Sequence, residues 1–318
     1  MAKQIVARQQ GDDYQARWFW LQACALLDNF SKVERVVHED GELKSFDDVA
    51  VYYRHGHTDE KGIPLDAVFY QVKFHVTSAG ALTAESLCDP TFIGATTCSL
   101  LQRMKNAHDH CCADRINHRL VLYTPWSIHP DDQLAEIHSL SDGSIRWDTL
   151  ATGGERSKLG KLRKRWRGHL DLHSDDELRQ VLANVRIKRG PTLDDLARTL
   201  NCRLEAKGLK PVEENSLVHP YDDLTRKMLG ANMNELTAKS LLEICDREGL
   251  LARTPTRPEN LTSLGIRSFL RWAEDLQNQT QSLICLSHHF SGHEIKNRDD
   301  WNTEIPNSLA SFVRQHIV

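Results

Sequence analysis

Ser45-Phe46-Asp47-Asp48-Val49-Ala50-Val51-Tyr52 and, a little further along, Val68-Phe69-Tyr70-Gln71-Val72-Lys73-Phe74 read as two β-strands that share one set of polar residues. Side chains of a strand alternate between its two faces. Val49 and Val51 therefore fall on one face and Asp48 and Ala50 on the other, while Gln71 and Lys73 share a face with Val72 opposite them. With the valines turned to a core, Asp48, Gln71 and Lys73 can converge. Asp47 has the opposite parity and is the weaker candidate.

Phosphodiester chemistry has a use for that set. Hard divalent cations such as Mg2+ or Mn2+ take oxygen ligands, which the Asp48 carboxylate and the Gln71 amide can supply. The ion polarises a phosphoryl oxygen and acidifies a bound water. Lys73 is then the group that holds or activates the water and counters charge developing on the phosphate. The same pattern also fits an ordinary half-buried hairpin whose polar residues face water.

Asp48 with Gln71-Val72-Lys73 resembles the PD-(D/E)XK nuclease signature in its glutamine variant. The opening Gly11-Asp12-Asp13-Tyr14-Gln15-Ala16-Arg17-Trp18, the two strands, and the block from Gly168-His169-Leu170 to Asp176-Glu177-Leu178 together resemble one family. It is the double-stranded DNA endonuclease of bacterial anti-phage defence, an effector of CBASS systems that is also fused into Lamassu and STAND-type proteins. The resemblance covers roughly the first two thirds of the chain.

It implies an α/β, restriction-endonuclease-like core, a central mixed sheet flanked by helices, followed by a helical region. It also implies a largely nonspecific, metal-dependent cut of double-stranded DNA, with Asp48 and Gln71 on the metal and Lys73 at the water. Gln15 and Glu39 are proposed as helpers, Glu39 because it stands at the end of the first strand. A toxic nuclease has to be restrained, so a homo-oligomer is expected as the active form, with defence-system proteins as partners.

Composition sets the remaining bounds. The chain has 318 residues, 40% hydrophobic and 26% charged, with a net charge of −4. It is long enough for two domains and a full core, and any DNA site must arise from local clustering. Such a cluster exists: Arg156, Lys158, Lys161, Arg163, Lys164, Arg165 and Arg167, with Trp166 among them. Lys161, Arg163, Lys164, Arg165 and Arg167 are the candidates for phosphate neutralisation, against the alternative of a solvated helix face. The eight cysteines form no CxxC pair and the first residues are not an apolar leader, which reads as cytoplasmic, reduced-thiol usage. No apolar run reaches the roughly 18 residues that would span a bilayer.

Along the chain, a helix capped by Asp12 or Asp13 is expected to run to Leu27, with Tyr14, Trp18, Leu21 and Ala25 as its apolar stripe. Strands follow at 33–37, at the Asp48 and Gln71 segments, and at 119–124. A polar, water-exposed hairpin tip at 54–64, a largely helical 84–110 and a helical bundle from Leu170 onward complete the pattern. His108, His110, Cys111 and Cys112 are not expected to form a zinc site, because residues one and two apart on a helix do not share a face. His288, His289 and His293 are read as surface or packing residues.

The expected domains are a nuclease domain at 1–170, a helical extension at 171–252, and a proline linker with a sensor-entrance or assembly segment at 253–318. Strings near Leu283 and Phe290 resemble the entrance to the SAVED sensor of CBASS nucleases. A complete SAVED domain would need a further domain's length beyond Val318, so either the sequence is a shortened form or the trigger is a partner protein. Two rival readings remain: a catalytically silent DNA-docking or assembly subunit, and a transcriptional regulator built on the helical half.

Overall fold

Helix α1 (Ala2–Ala23) leads through a 3-10 turn, Cys24–Leu27, to strand β1 (Val33–His38). β2 (Val49–Tyr53) and β3 (Ala67–Val72) continue as an antiparallel meander. Helix α2 (Leu100–Ala113) then carries the chain across to β4 (His118–Thr124), which is parallel to β3. Helices α3 (Gln133–Ile137), α4 (Trp147–Leu150), α5 (Lys158–His169) and α6 (Asp175–Ala183) precede β5 (Val185–Arg189), parallel to β4. Helices α7 (Leu193–Ala206) and α8 (Pro220–Gly230), the short strand β6 (Glu235–Leu236) and helix α9 (Ala238–Arg247) follow. This computed structural model describes residues 2–252 except 29, 44–45, 60, 75–80, 214–215 and 217. The described residues belong to one compact unit, Met1–Ala252.

The six strands form one mixed sheet in the order β5-β4-β3-β2-β1-β6. Every residue of β3 and β4 is buried, as the middle of a sheet covered on both faces requires. Alternation splits the apolar residues cleanly. Ala50, Ala67, Phe69, Leu120 and Leu122 pack with α2, α5 and α6 on one face. Val49, Val51, Val68, Tyr70, Val121 and Tyr123 pack with α1, α7, α8 and α9 on the other. The α/β architecture with helices on both faces of a mixed sheet is the expected one.

Four local expectations are corrected or sharpened. α1 begins at Ala2, so Asp12 and Asp13 lie inside it and cap nothing; Asp13 instead pairs with Arg226 of α8. The buried face of α1 is also broader than the stripe, with Phe19, Trp20 and Ala23 fully buried and Trp18 stacked on Tyr123 at 3.7 Å. Residues 84–99 are not α-helical. Pro90 and Gly94 confine them to 3-10 turns, and α2 starts only where Ser99 and Gln102 form a capping box.

The 54–64 tip is exposed at most of its described residues, as expected, and departs from a solvated turn only at His57 and Asp59. Asp59 is drawn inward by Arg119 at 2.7 Å and His57 stacks on Tyr53. The fourth concerns 171–252, expected as a helical extension of the nuclease: it is helical but for two strands. It supplies β5 and β6, the two edges of the sheet, and lays α7 and α8 against α1. The segment 253–318, with its linker, its sensor-like strings and His288, His289 and His293, lies outside the described residues.

Candidate active site

The polar set assembles where β2 begins and β3 ends. Val49 pairs with Tyr70 across the ladder, which puts Asp48, just ahead of β2, level with the last residues of β3. Asp48 Oδ2 accepts from the Gln71 side-chain amide, from the Val72 backbone N–H at 2.7 Å and from Lys73 Nζ at 3.4 Å. Gln71 is 1% exposed. The site thus sits at the rim of a buried strand, with Lys73 and Asp48 still open to solvent.

Gln15 reaches the site from α1, donating through Nε2 to the Asp48 backbone oxygen at 3.2 Å. Its contact positions the peptide of Asp48 and leaves the carboxylate alone. Glu39 follows β1 directly; its backbone N–H also donates to the Asp48 oxygen, at 3.1 Å. Glu39 has φ 51, in the left-handed region that a side chain of this kind rarely adopts. Asn234 Nδ2 holds it there by donating to the Glu39 carbonyl oxygen at 3.2 Å.

Negative charge accumulates on this rim. Burial, then Asp48 and Asp12, push the Glu39 carboxyl above its ordinary value. Burial and the neighbouring Asp48 push Asp47 up to about 6, with Glu39 adding to the rise. Asp47, set aside by strand parity, therefore belongs to the same electrostatic neighbourhood. Parity decides where a side chain points and not how far its charge acts.

Sequence reasoning missed Arg103. It stands in the first turn of α2 and donates from Nη1 to Gln71 Oε1 at 3.5 Å. Carboxylates only accept and guanidinium groups only donate, so the Gln71 amide is fixed with nitrogen toward Asp48 and oxygen toward Arg103. The spacing of Gln71 and Arg103, a strand and a helix apart, carried no signal of their contact.

A divalent cation suits these donors in kind. Asp48 Oδ1 takes no hydrogen bond among the described residues, and crowded carboxylates gain from a cation. To join Asp48 as a ligand, the Gln71 oxygen has to turn toward it. Among the described residues no group of three or more His, Cys, Asp and Glu is set to hold a metal, so the set is a mixed carboxylate–amide one. His108 of α2 meets buried His118 of β4 with the ring nitrogens 3.2 Å apart, and exposed Cys112, one turn on, touches His108 alone of the two.

The basic run resolves into two groups along α5. Arg163 is 6% exposed and spends its guanidinium on Asp175 and on the carbonyls of Leu150, Thr152 and Gly153. Arg167 pairs with Asp175 at 3.1 Å. These two are internal ties, because helical periodicity turns them inward and their guanidinium groups are engaged within the fold. Lys161, Lys164 and Arg165 are exposed. α5 shares the sheet face of α2, and His169 near its end meets the α2 cap at Ser99 Oγ, 2.8 Å away.

No protein-family profile matches the chain. Among proteins of known name it is similar to CD-NTase-associated protein 4 of Enterobacter hormaechei subsp. hoffmannii (strain UCI 50), with 34% identity over 320 aligned positions. The alignment takes in 98% of this chain and 62% of the relative, so the chain spans less than two thirds of that protein's length. No helix among the described residues is long and apolar enough to cross a membrane.

Proposed function

We propose that this chain is the nuclease part of an anti-phage defence effector, a metal-dependent and largely nonspecific double-stranded DNA endonuclease of the CBASS type. The observation that carries the reading is the closure of Gln71, Val72 and Lys73 upon one oxygen of Asp48 at the open rim of the sheet. The name of the 34% identical relative, which ties that protein to a CD-NTase, supports the defence setting.

Asp48 and Gln71 would hold Mg2+ or Mn2+. When bound, the ion supplies positive charge to a phosphoryl oxygen and to the attacking water. Lys73 orients that water and offsets charge on the phosphate. Gln15 fixes the Asp48 peptide and Glu39 adds to the negative rim. In the reaction the water oxygen bonds to phosphorus, one bridging P–O bond breaks, and the departing oxygen takes up a proton. Lys161, Lys164 and Arg165 supply sequence-independent attraction to the duplex.

Plasmid cleavage in Mg2+ tests the site. Asp48→Ala and Lys73→Ala should each lose activity by at least about a hundredfold, in proteins whose cooperative melts show them folded at the assay temperature. Wild-type rates in both variants would remove the assignment. Activation by oligomerisation predicts that specific activity rises with protein concentration alongside the sedimentation coefficient, and a concentration-independent rate would argue against it. A silent DNA-docking subunit is the second reading. It is favoured by the Gln71 oxygen facing Arg103 instead of Asp48, and it predicts DNA binding with no cutting under any divalent ion.

A further inference from the structure

Arg103 is half-buried, on a helix clamped to the sheet by Leu100, Leu101 and Met104. Arg17, Arg119, Arg163 and Arg167, other arginines held within the fold, each face a carboxylate: Asp222, Asp59, Asp175 and Asp175 again. Arg103 faces none among the described residues, and its contact is a neutral amide oxygen at 3.5 Å, the long limit of a hydrogen bond. A guanidinium cannot shed its charge. Held beside a candidate phosphodiester site without an anion, it is suited to one that arrives from outside.

We infer that Arg103 is a substrate-contacting residue: its guanidinium takes the non-bridging oxygens of a DNA backbone phosphate and seats the strand against the end of β3. The planar fork of donors matches two phosphate oxygens, which a lysine's point charge does not. Lys73 shares its charge with Asp48 at 3.4 Å and serves the water side of the site, and Arg103 adds a second cation that has no carboxylate to share. Moving the guanidinium onto a phosphate also frees the Gln71 oxygen, the atom that a cation beside Asp48 needs. This inference rests on the nuclease reading for its chemistry and on DNA binding alone for its first test.

Binding of a short duplex by fluorescence anisotropy across a salt series, and its cleavage in Mg2+, are compared for wild type, Arg103→Ala and Arg103→Lys. Arg103→Ala should lower the salt slope by about 0.9 and raise KM, with cutting down about a hundredfold. Arg103→Lys should restore the slope more fully than the cutting. Replacing single phosphates by uncharged methylphosphonates should reveal one position that penalises wild type and costs Arg103→Ala nothing further. A wild-type salt slope in Arg103→Ala, or equal methylphosphonate penalties in both proteins, overturns the inference. If Arg103→Ala does not fold, Arg103→Gln takes its place in the same comparison. Asp48→Ala and Lys73→Ala separate the two claims. If they are inactive while Arg103→Ala cuts and binds as wild type, only the inference falls; if they cut as wild type, the nuclease site falls while the salt slope still decides Arg103.

Discussion

His38 closes β1 one residue before Glu39, 4% exposed, with neither ring nitrogen bonded among the described residues and its ring edge-on to Phe19. Burial alone lowers its pKa from 6.5 to about 4. The unfolded chain then takes up a proton below pH 6.5 that the folded chain refuses until about pH 4. Stability is full above 6.5 and falls as the pH drops through that window, by about 2 kcal/mol at pH 5. His38→Leu should remove this slope and melt higher than wild type at pH 5, because an unpaired buried polar ring gives way to an apolar side chain. Thermal melts at pH 7 and pH 5 check this, and an equal acid loss in both proteins would refute it. At this scale the sequence was readable where period 2 applied: Asp48, Gln71 and Lys73 lie together because alternation demands it. Arg103 was not readable, since a helix residue reaches a strand only through docking that no local pattern encodes.

α5 shows how one helical run divides its charges between structure and surface. Arg163 lies on the face that buries Leu159, Leu162 and Trp166, and its guanidinium closes the carbonyls around Gly153. Arg163→Ala should cost about 2 to 4 kcal/mol, since buried acceptors lose a charged donor. Triple replacement of Lys161, Lys164 and Arg165 by Ala should leave the melting temperature within a degree or so, because exposed charges hold little stability. The same triple variant should flatten the salt dependence of DNA binding by up to about three counterion equivalents. An unaltered slope would make this a solvated face after all. The central strands and α2 were legible as elements because each carries a long apolar pattern or a strong cap. β5 was hidden: Val-Arg-Ile-Lys-Arg has only two apolar residues, and its outward side chains are charged, as an edge strand's are.

Across the molecule, residues far apart in sequence complete one another. Trp20 donates to the Tyr221 carbonyl at 2.9 Å and to Thr225, and Arg17 meets Asp222, so α1 is finished by α8. A division at residue 170 was the natural reading of a sequence whose composition turns helical there. In the fold both sheet edges and the cover over α1 come from later residues, so the extension is packed into the first part. A fragment of residues 1–170 should therefore show no cooperative melting transition, while residues 1–252 should melt cooperatively. Calorimetry of the two fragments decides between them, and a cooperative transition in the shorter one would restore the two-domain division. The bond from Asn234 to Glu39, with β6 beside β1, has a consequence in time. During synthesis Asp48, Gln71 and Lys73 leave the ribosome early, yet the clasp that holds Glu39 arrives only with residue 234. A ribosome that stalls or falls off before then releases a chain whose rim is left unfastened on the Glu39 side.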